Sequence, residues 1–455
     1  VLASTPTTAP AAGSEPRSLP LPLRLSFIWT LVGNLIYAGC QWIALIAIAK
    51  LGTPTMVGQF ALATAISFPL TLVVNLQLRV LFLTDASRQF TLQAILGIRY
   101  IMAAAALVFL FVFSYWTRTS IAATDLILLI AAGQLVDCIS DSYYGICQRY
   151  ERNDRISQSL ILRSCFSLIG LIIAIRFTGS LLLGAIGMLV SRLLVLALFD
   201  ASRETFLLAA DDGALWLRGI AESTLLGRMR PQWRPRLQLS MVWTSLPLGV
   251  VSVLVAFNAN VPKYAIGQYL GARDVGIYSA LSTLPIAGAM IANALGYSAF
   301  SRLSALYNAG NLHSYIRLTL KLLAVCAVVG GAGAVASAVA AKQVLLILYR
   351  PEYAEHSDLL VWLMSIGVVT YWASCLGVAM TAASRFRSQL LLFSTITLFS
   401  IFSCQLLVPR WGLQGAVVGS LVAALAQLAG AAFITLQAIS AKENEMSTLS
   451  TSLVS

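Results

Sequence analysis

The strongest constraint on this chain is the succession of long apolar segments that extends from residue 25 to residue 439. A helix needs about 20 apolar residues to cross the hydrocarbon core of a bilayer, and within lipid the backbone must satisfy its own hydrogen bonds. Charged residues make up 11% of the chain and the mean hydropathy is +0.83, whereas about 25% of residues are charged in ordinary soluble domains. The sequence therefore predicts an all-α polytopic membrane protein.

The apolar segments divide into about twelve predicted transmembrane helices. Their approximate ranges are 25–49, 56–84, 97–116, 121–148, 156–176, 178–200, 237–258, 275–300, 317–340, 358–383, 388–408 and 412–439. Five regions follow: a disordered cytoplasmic tail (1–24), an N-terminal six-helix bundle (25–200), a basic cytoplasmic linker (201–236), a C-terminal six-helix bundle (237–439) and a cytoplasmic tail (440–455). The first region is rich in Pro, Ala, Thr and Ser without an apolar core, which indicates a tail and not a signal peptide.

The two predicted bundles carry related sequence patterns. The segment AIAKLGTPTMVGQFAL of the first half is echoed by AIGQYLGARDVGIYSAL of the second, and GAIGMLV is echoed by GAVVGSLV. Asn75 follows Gly58 by the same seventeen positions that separate Asn293 from Gly276. These matches predict an internal duplication and two pseudo-symmetric bundles around a central cavity. In membrane transporters built from such repeats, the substrate site lies at the repeat interface.

Lys and Arg are unevenly distributed over the predicted loops and helix ends. If both termini are cytoplasmic, eight of the 30 Lys and Arg residues lie on the opposite side. These eight are Lys50, Arg118, Arg176, Lys263, Arg273, Lys342, Arg350 and Arg410. The cytoplasmic excess satisfies the positive-inside rule, so the net charge of +12 mostly reflects topology and nucleic acid is not an expected partner. The linker could form an amphipathic helix on anionic headgroups or remain a solvated connection.

Five ionisable residues are predicted inside the spans of the first half. Arg79, Arg163, Arg192 and Asp141 each lie roughly 10 Å from the cytoplasmic ends of their helices at the α-helical rise. Asp137 is one turn deeper than Asp141, on the same helix face. Because ionisable residues within the membrane are costly, they are candidates for function.

The second half lacks these charges, since the repeat aligns Arg79 with Tyr297. Packing alone does not require three arginines in one bundle, whereas an anionic substrate headgroup would. Two alternatives stay open. Asp141 and Arg163 could form a buried structural pair on adjacent helices, and Arg79 and Arg192 could extend their side chains to the membrane interface.

Polar uncharged residues form a second candidate set on the predicted helices 1, 2, 7 and 8. For any single member, an interhelical hydrogen bond is the simpler role. As a set they indicate a hydrated cleft suited to sugar hydroxyls. The members are Asn34, Gln41, Asn75, Gln77, Asn258, Asn260, Asn293 and Tyr297.

A family resemblance covers nearly the whole chain after the N-terminal tail. It is carried by QWIALIAIAKLG, LQLRVLFLTD and LYRPEY, and by the residues Pro247, Leu248, Asn258, Asn260, Pro262, Lys263 and Tyr264. With these features the chain resembles the lipid-linked oligosaccharide flippases of bacterial O-antigen and exopolysaccharide pathways. That family belongs to the multidrug/oligosaccharidyl-lipid/polysaccharide exporter superfamily.

The resemblance implies a flippase that moves undecaprenyl-diphosphate-linked oligosaccharide repeat units across the inner membrane by alternating access, for polysaccharide biosynthesis. Implied partners are the lipid-linked oligosaccharide, membrane lipids, and a polysaccharide polymerase with its chain-length machinery. No cofactor is implied beyond H⁺ or Na⁺ coupling, for which Asp137 and Asp141 are the candidates because intramembrane carboxyls can exchange protons. The substrate pyrophosphate is assigned to Arg79, Arg163 and Arg192. The sugars are assigned to Asn34, Gln41, Asn75, Asn258, Asn260, Asn293 and Tyr297.

Two alternatives were weighed against a flippase. A cation-coupled small-molecule antiporter of the multidrug branch would need an acidic cleft, but the first half offers more Arg than Asp among its intramembrane residues. A membrane polysaccharide polymerase or glycosyl-transfer enzyme would need loop chemistry, but the longest predicted periplasmic loop is about 341–357. The two histidines fall outside the predicted spans, the seven cysteines form no CxxC motif, and the chain has no GxxxxGK[ST]. We therefore expect no enzymatic activity and no metal site.

Overall fold

The computed structural model describes residues 22–84, 90–202, 224–383 and 386–454. These residues form helices and short connections, as predicted for an all-α membrane protein. The predicted N-terminal tail falls almost entirely outside the described residues. Most of the basic linker does too, so the proposed amphipathic helix within it lies outside the part that the structure describes.

The described residues of the N-terminal half form seven α-helices and one π-helical turn. They are α1 (Leu23–Leu51), α2 (Pro54–Asn75), α3 (Leu78–Thr84), α4 (Leu92–Trp116), α5 (Ile121–Arg149), α6 (Asn153–Thr178), α7 (Leu181–Val195) and the π-helical turn Leu196–Asp200. Several begin at a hydroxyl residue that caps the helix. Thr53, Thr91, Ser120 and Ser180 each accept a hydrogen bond from a backbone N–H of the first turn, which satisfies a donor that the helix itself leaves free.

The C-terminal half contains a second series of helices. They are α8 (Leu225–Arg228), α9 (Pro235–Tyr269), α10 (Ala272–Asn308), α11 (Leu312–Leu348), α12 (Pro351–Ala354), α13 (Ser357–Ala382) and α14 (Phe386–Val454). Among the described residues, 11 helices are long and apolar enough to cross a membrane. The last of these is interrupted at Gly412, whose φ is 59°, and so supplies the last two predicted spans.

The two halves repeat the same packing pattern. In the N-terminal half α5 packs on α2 and α4, and α1 packs on α6; in the C-terminal half α13 packs on α10 and α11, and α9 packs on α14. The halves meet where α2 contacts α9 and α10. The fold is therefore two pseudo-symmetric bundles, as the sequence repeat predicts.

Two glycines that the repeat equates meet at this interface. A Cβ atom on Gly58 would overlap the backbone of Ala272, and a Cβ atom on Gly276 would overlap the backbone of Pro54. Each Cβ would also lie 2.9 Å from the backbone nitrogen of the other glycine. Equivalent residues become mutual neighbours only beside a two-fold axis. The pseudo-two-fold axis therefore passes between Gly58 and Gly276.

The halves differ in the helix that follows this contact. Asn75 is the last residue of the 22-residue α2, because Leu76 and Gln77 adopt left-handed φ values of 43° and 54° before α3 begins. Asn293 occupies the same position counted from the start of α10, but α10 continues without interruption. The single helix predicted for 56–84 is thus two helices.

The connections on the predicted periplasmic side are shorter than expected. α9 extends through the predicted break after residue 258 and ends at Tyr269, because buried Val261, Ala265 and Ile266 keep this segment packed in the core. The predicted loop 341–357 is largely helical, since α11 runs to Leu348 and α12 follows directly.

Candidate functional site

A cavity of about 580 Å³ lies within the N-terminal half, between α1, α2, α5, α6 and α7. Its lining extends to Gln148 and Asn153, at the junction of α5 and α6. This is the end of the bundle that the charge distribution predicts to be cytoplasmic. The described lining residues all belong to the range 30–192, whereas the repeat predicts a substrate site at the interface between the halves.

The cavity gathers all five ionisable residues that the sequence singled out. Arg79, Asp137, Asp141, Arg163 and Arg192 line it together. They come from four elements, α3, α5, α6 and α7, and the two aspartates lie one turn apart on α5. Substrate binding by the arginines and ion coupling by the aspartates remain predictions.

Asp141 is bound by two arginines, one through each carboxylate oxygen. Arg79 Nη1 lies 3.1 Å from Oδ1 and Arg99 Nη2 lies 2.8 Å from Oδ2. The Arg79 side chain is 35% exposed, whereas that of Arg99 is fully buried. Within the described part of the chain, Arg99 Nε and Nη1 have no hydrogen-bond partner, so Asp141 is the counter-ion of this guanidinium.

Asp137 repeats the same arrangement one turn away. Arg163 Nη1 lies 2.8 Å from Oδ1 and Arg192 Nη1 lies 3.1 Å from Oδ2. Gly133, a further turn along α5, leaves the room for this contact, because a Cβ there would lie 3.0 Å from Arg192 Nη1. Each cavity aspartate therefore holds a pair of arginines.

Arg163 has further protein partners through its other terminal nitrogen. Nη2 donates to the hydroxyl of Tyr144 at 2.5 Å and to that of Ser159 at 3.3 Å, and it lies 3.0 Å from Asp200 Oδ2. Arg163 and Asp200 are both buried. The π-helical turn at the end of α7 positions Asp200 for this contact.

The predicted pair between Asp141 and Arg163 is wrong. Arg163 binds Asp137 and Asp200, while Asp141 binds Arg79 and Arg99. The residue spacing along each helix gave the depth of these groups, but the rotation of α5 against α6 decides which of them touch. Each cavity arginine nonetheless has a carboxylate partner.

Sequence reasoning missed Arg99 and Asp200. Both fall at the ends of predicted spans, because the third span is predicted to begin at residue 97 and the sixth to end at residue 200. α4 begins at Leu92, so Arg99 lies two turns inside the helix and is buried against α5. A capping signal at Thr91, which accepts from Ala94 N, could have corrected that boundary.

The predicted sugar-binding set divides between two places. Asn34, Gln41 and Asn75 line the cavity, but Asn258, Asn260, Asn293 and Tyr297 do not. Asn260 is buried, donates to the Ala256 carbonyl at 2.8 Å and accepts from Lys263 Nζ at 3.0 Å. Its amide is thus occupied within α9, in hydrogen bonds along one helix and not in the interhelical bond that the sequence suggested.

Four exposed residues form one face of α10, which we call the α10 stripe. They are Ile286, Met290, Asn293 and Tyr297. Their counterparts in the sequence repeat are Phe68, Leu72, Asn75 and Arg79, and every one of these lines the cavity. The α10 stripe therefore corresponds by pseudo-symmetry to the cavity-facing side of α2 and α3, with Tyr297 in place of a guanidinium.

This architecture defines a class of membrane transporter fold that solved structures share. The structure of the lipid II flippase MurJ in an inward closed conformation superposes with a TM-score of 0.69 and 11% identity, covering 92% of this chain and 93% of MurJ. An inward-facing multidrug resistance transporter of the MATE family superposes with a TM-score of 0.62 and 15% identity, covering 92% of this chain and 96% of that one. At these identities the likeness concerns the fold.

The chain belongs to the polysaccharide biosynthesis protein family, which matches residues 23–307. One relative is the capsular polysaccharide biosynthesis protein CapF of Staphylococcus aureus. It is 23% identical over 404 residues, which is 86% of this chain and 94% of CapF. The family match covers the whole N-terminal half, including the charged cavity, and the first helices of the C-terminal half.

Proposed function

We propose that this protein is a flippase that translocates undecaprenyl-diphosphate-linked oligosaccharide repeat units across the inner membrane for polysaccharide biosynthesis. The observation that carries the proposal is the arginine-bearing cavity within the N-terminal half. Counted with Arg99 and Asp200, which pair with lining residues but do not line the cavity, four arginines meet three aspartates. The group therefore retains a positive excess. An anionic headgroup would neutralise this excess. Charged residues within a membrane are functional candidates because they are costly to place there.

The diphosphate suits the arginines of this cavity. A guanidinium presents a planar fork of donors that matches two phosphate oxygens, and it stays charged when it is partly buried. A cationic drug suits the cavity poorly, because both aspartates already have two arginine partners. This disfavours antiport of a cationic small molecule as the activity.

The sugars would extend from the cavity toward the α10 stripe. Asn34, Gln41 and Asn75 offer uncharged donors and acceptors beside the charged group. Asn293 is exposed on the α10 stripe, and Tyr297 is 75% exposed. Amides pair with sugar hydroxyls, and an aromatic ring packs on the apolar face of a sugar. The polyprenyl chain would remain in the surrounding bilayer.

Alternating access would require the predicted periplasmic end to open. There the halves are joined by the Gly58–Gly276 contact, by Lys50 Nζ donating to the Ile347 carbonyl at 2.7 Å, and by Arg350 Nη2 donating to the Lys50 carbonyl at 3.0 Å. The cavity lining reaches the opposite end. These features support a state that would admit substrate from the side predicted to be cytoplasmic.

Leaflet transfer in liposomes tests the proposal. Purified protein would be reconstituted with a fluorescent undecaprenyl-diphosphate oligosaccharide, and transfer would be measured by the fraction of label that an impermeant quencher reaches over time. We expect transfer well above that of protein-free vesicles, and wild-type transfer by the control Arg176→Ala, whose exposed side chain lies at the other end of α6. Wild-type protein that leaves the label in its original leaflet would refute the proposal.

A proton or sodium gradient would drive this transfer through Asp137 and Asp141. We expect the double variant Asp137→Asn/Asp141→Asn to lose the acceleration that an imposed gradient produces. Measuring transfer with and without a gradient in the same liposomes checks this, and a gradient response of wild-type size in the variant would exclude both residues. Co-purification with a polysaccharide polymerase and its chain-length partner is a further expectation of the proposed role.

A further inference from the structure

The ion pairs of the cavity form two tiers. The inner tier is Arg99 and Arg163, whose side chains are 0% and 3% exposed. The outer tier is Arg79 and Arg192, whose side chains are 35% and 9% exposed. Each cavity aspartate has one partner from each tier, so the carboxylate of Asp137 or Asp141 is never dependent on an outer arginine alone.

We propose that Arg79 and Arg192 bind the substrate diphosphate by exchanging their aspartate partners for phosphate oxygens, while Arg99 and Arg163 act as positioning residues that keep Asp141 and Asp137 paired. This inference rests on the proposed function and assigns separate roles to the cavity arginines. It differs from the sequence-based grouping of Arg79, Arg163 and Arg192 as three equal phosphate ligands.

The inner tier makes the exchange energetically feasible. A carboxylate that loses its only cation inside a low-dielectric region costs several kcal/mol. Asp141 avoids this cost because Arg99 Nη2 remains 2.8 Å from Oδ2 when Arg79 leaves Oδ1. An outer arginine then moves from one anion to another and stays paired throughout.

The second aspartate has the same protection. Arg163 Nη1 remains 2.8 Å from Asp137 Oδ1 when Arg192 leaves Oδ2. Arg163 is itself held by Asp200 and Tyr144, at 3.0 Å and 2.5 Å from its Nη2. Its terminal nitrogens are therefore engaged by protein groups, which leaves it a poor direct ligand for phosphate.

The placement of the outer arginines on neighbouring aspartates suits a ligand with two phosphate groups. Asp137 and Asp141 lie one helical turn apart, so their Cβ atoms are separated by about 5–6 Å. Arg79 and Arg192 contact these neighbouring positions and both line the cavity. Two guanidinium forks that bind neighbouring carboxylates can each engage one phosphate of a diphosphate, whereas a monophosphate would occupy one of them.

Binding of farnesyl diphosphate to the full-length protein in nanodiscs, measured by calorimetry, tests the exchange. Arg79→Gln and Arg192→Gln should each weaken binding, and Arg176→Gln should not. Arg99→Met should weaken binding by roughly tenfold, because Asp141 then holds Arg79 as its remaining partner and a buried charged group left unpaired costs at least that much. Arg99→Lys keeps a cation beside Asp141 and should bind as the wild type does.

The double variant Arg99→Met/Asp141→Asn decides the question. It removes the carboxylate that would hold Arg79, so binding should return to the wild-type level or exceed it. An Arg99 that touches the phosphate directly would show no such recovery, and a purely structural Arg99 would change the amount of folded protein in Arg99→Met but not the affinity of the molecules that fold. This variant leaves no carboxylate unpaired at this position, and the Arg79 guanidinium that loses Asp141 is 35% exposed, so its result stands even if Arg99→Met alone fails to fold.

Each result bears on one claim or the other. A double variant that binds at least tenfold more weakly than wild type, or a wild type that prefers farnesyl diphosphate no more than farnesyl monophosphate, overturns the exchange. If the wild type transfers the lipid between leaflets but the double variant does not recover diphosphate binding, the flippase proposal stands and the exchange is wrong. If the double variant recovers diphosphate binding but the wild type does not transfer the lipid, the exchange stands and the flippase proposal is wrong.

Discussion

The two halves of this chain build the same bundle with different polar contacts. In the N-terminal half, α3 to α7 are joined by guanidinium–carboxylate pairs around Asp137 and Asp141. In the C-terminal half, aromatic side chains bind backbone carbonyls of neighbouring helices. Tyr315 donates to Ala379 at 2.9 Å, Tyr371 to Pro285 at 2.5 Å, and Trp372 to Leu323 at 3.0 Å.

The ion pairs of the N-terminal half are an addition to a fold that the C-terminal half builds with neutral hydrogen bonds. Neutral hydrogen bonds are sufficient to hold α10, α11 and α13 together, so the corresponding helices of the first half do not need charges for packing. Burying ion pairs gives little or no net stability compared with apolar packing. We therefore predict that the charges serve a ligand, and the C-terminal half serves as an internal control.

The largest expected effect is on transport, at positions that the repeat equates. Replacing both Arg79 and Arg192 with Ala should lower leaflet transfer of a lipid-linked oligosaccharide by about a hundredfold or more, since each removes a charge-assisted bond of about 1.5–3 kcal/mol. Tyr297→Ala, at the counterpart of Arg79, should lower it much less because it removes an uncharged contact. Transfer rates in liposomes, corrected for protein content, measure both; equal losses would erase the distinction between the halves.

A second difference should appear in stability. Arg163→Leu leaves Asp137 and Asp200 without their shared cation and should lower the free energy of unfolding by about 3–5 kcal/mol. Tyr315→Phe in the second half removes one neutral hydrogen bond and should cost about 1 kcal/mol. Unfolding in detergent mixtures, followed by circular dichroism, compares the two. Similar losses for both variants would indicate that the N-terminal ion pairs are not critical for stability.

The smallest difference is expected at the pseudo-two-fold axis, where the halves should respond alike. Gly58→Leu and Gly276→Leu both place a side chain in the same contact, so each should separate the helices and expose the buried neighbours Val57 and Val275. In a background without native cysteines, an impermeant maleimide should label Val57→Cys several-fold faster in either variant. A response to one substitution and not the other would contradict the axis.

The fold was largely predictable because its signals are local. Apolar length gives the spans, and the repeat of Gly58 and Asn75 in Gly276 and Asn293 gives the duplication. The site was only partly predictable. Depth along a helix brought Arg79, Arg163, Arg192 and Asp141 to one level, but helix rotation, which depends on packing, determined their partners.

The remaining errors have specific physical causes. Arg99 was missed because the capping residue at Thr91 extends α4 by five residues beyond the predicted start at 97. Asn260 was placed in the cavity because an amide inside a membrane suggests a ligand, whereas its donor is satisfied by the carbonyl of Ala256 one turn earlier.

The contact between Gly58 and Gly276 has an evolutionary consequence. If the two halves descend from one gene for a six-helix subunit, that subunit would have paired with its own copy, and the residue at this position would have met itself. Every mutation there would then have been introduced twice at one point, so a side chain of any size would have clashed with its own duplicate. After the genes fused, each copy became free to change alone, and the surrounding helices did diverge, as Arg79 and Tyr297 illustrate. The paired glycines preserve the constraint of the ancestral dimer.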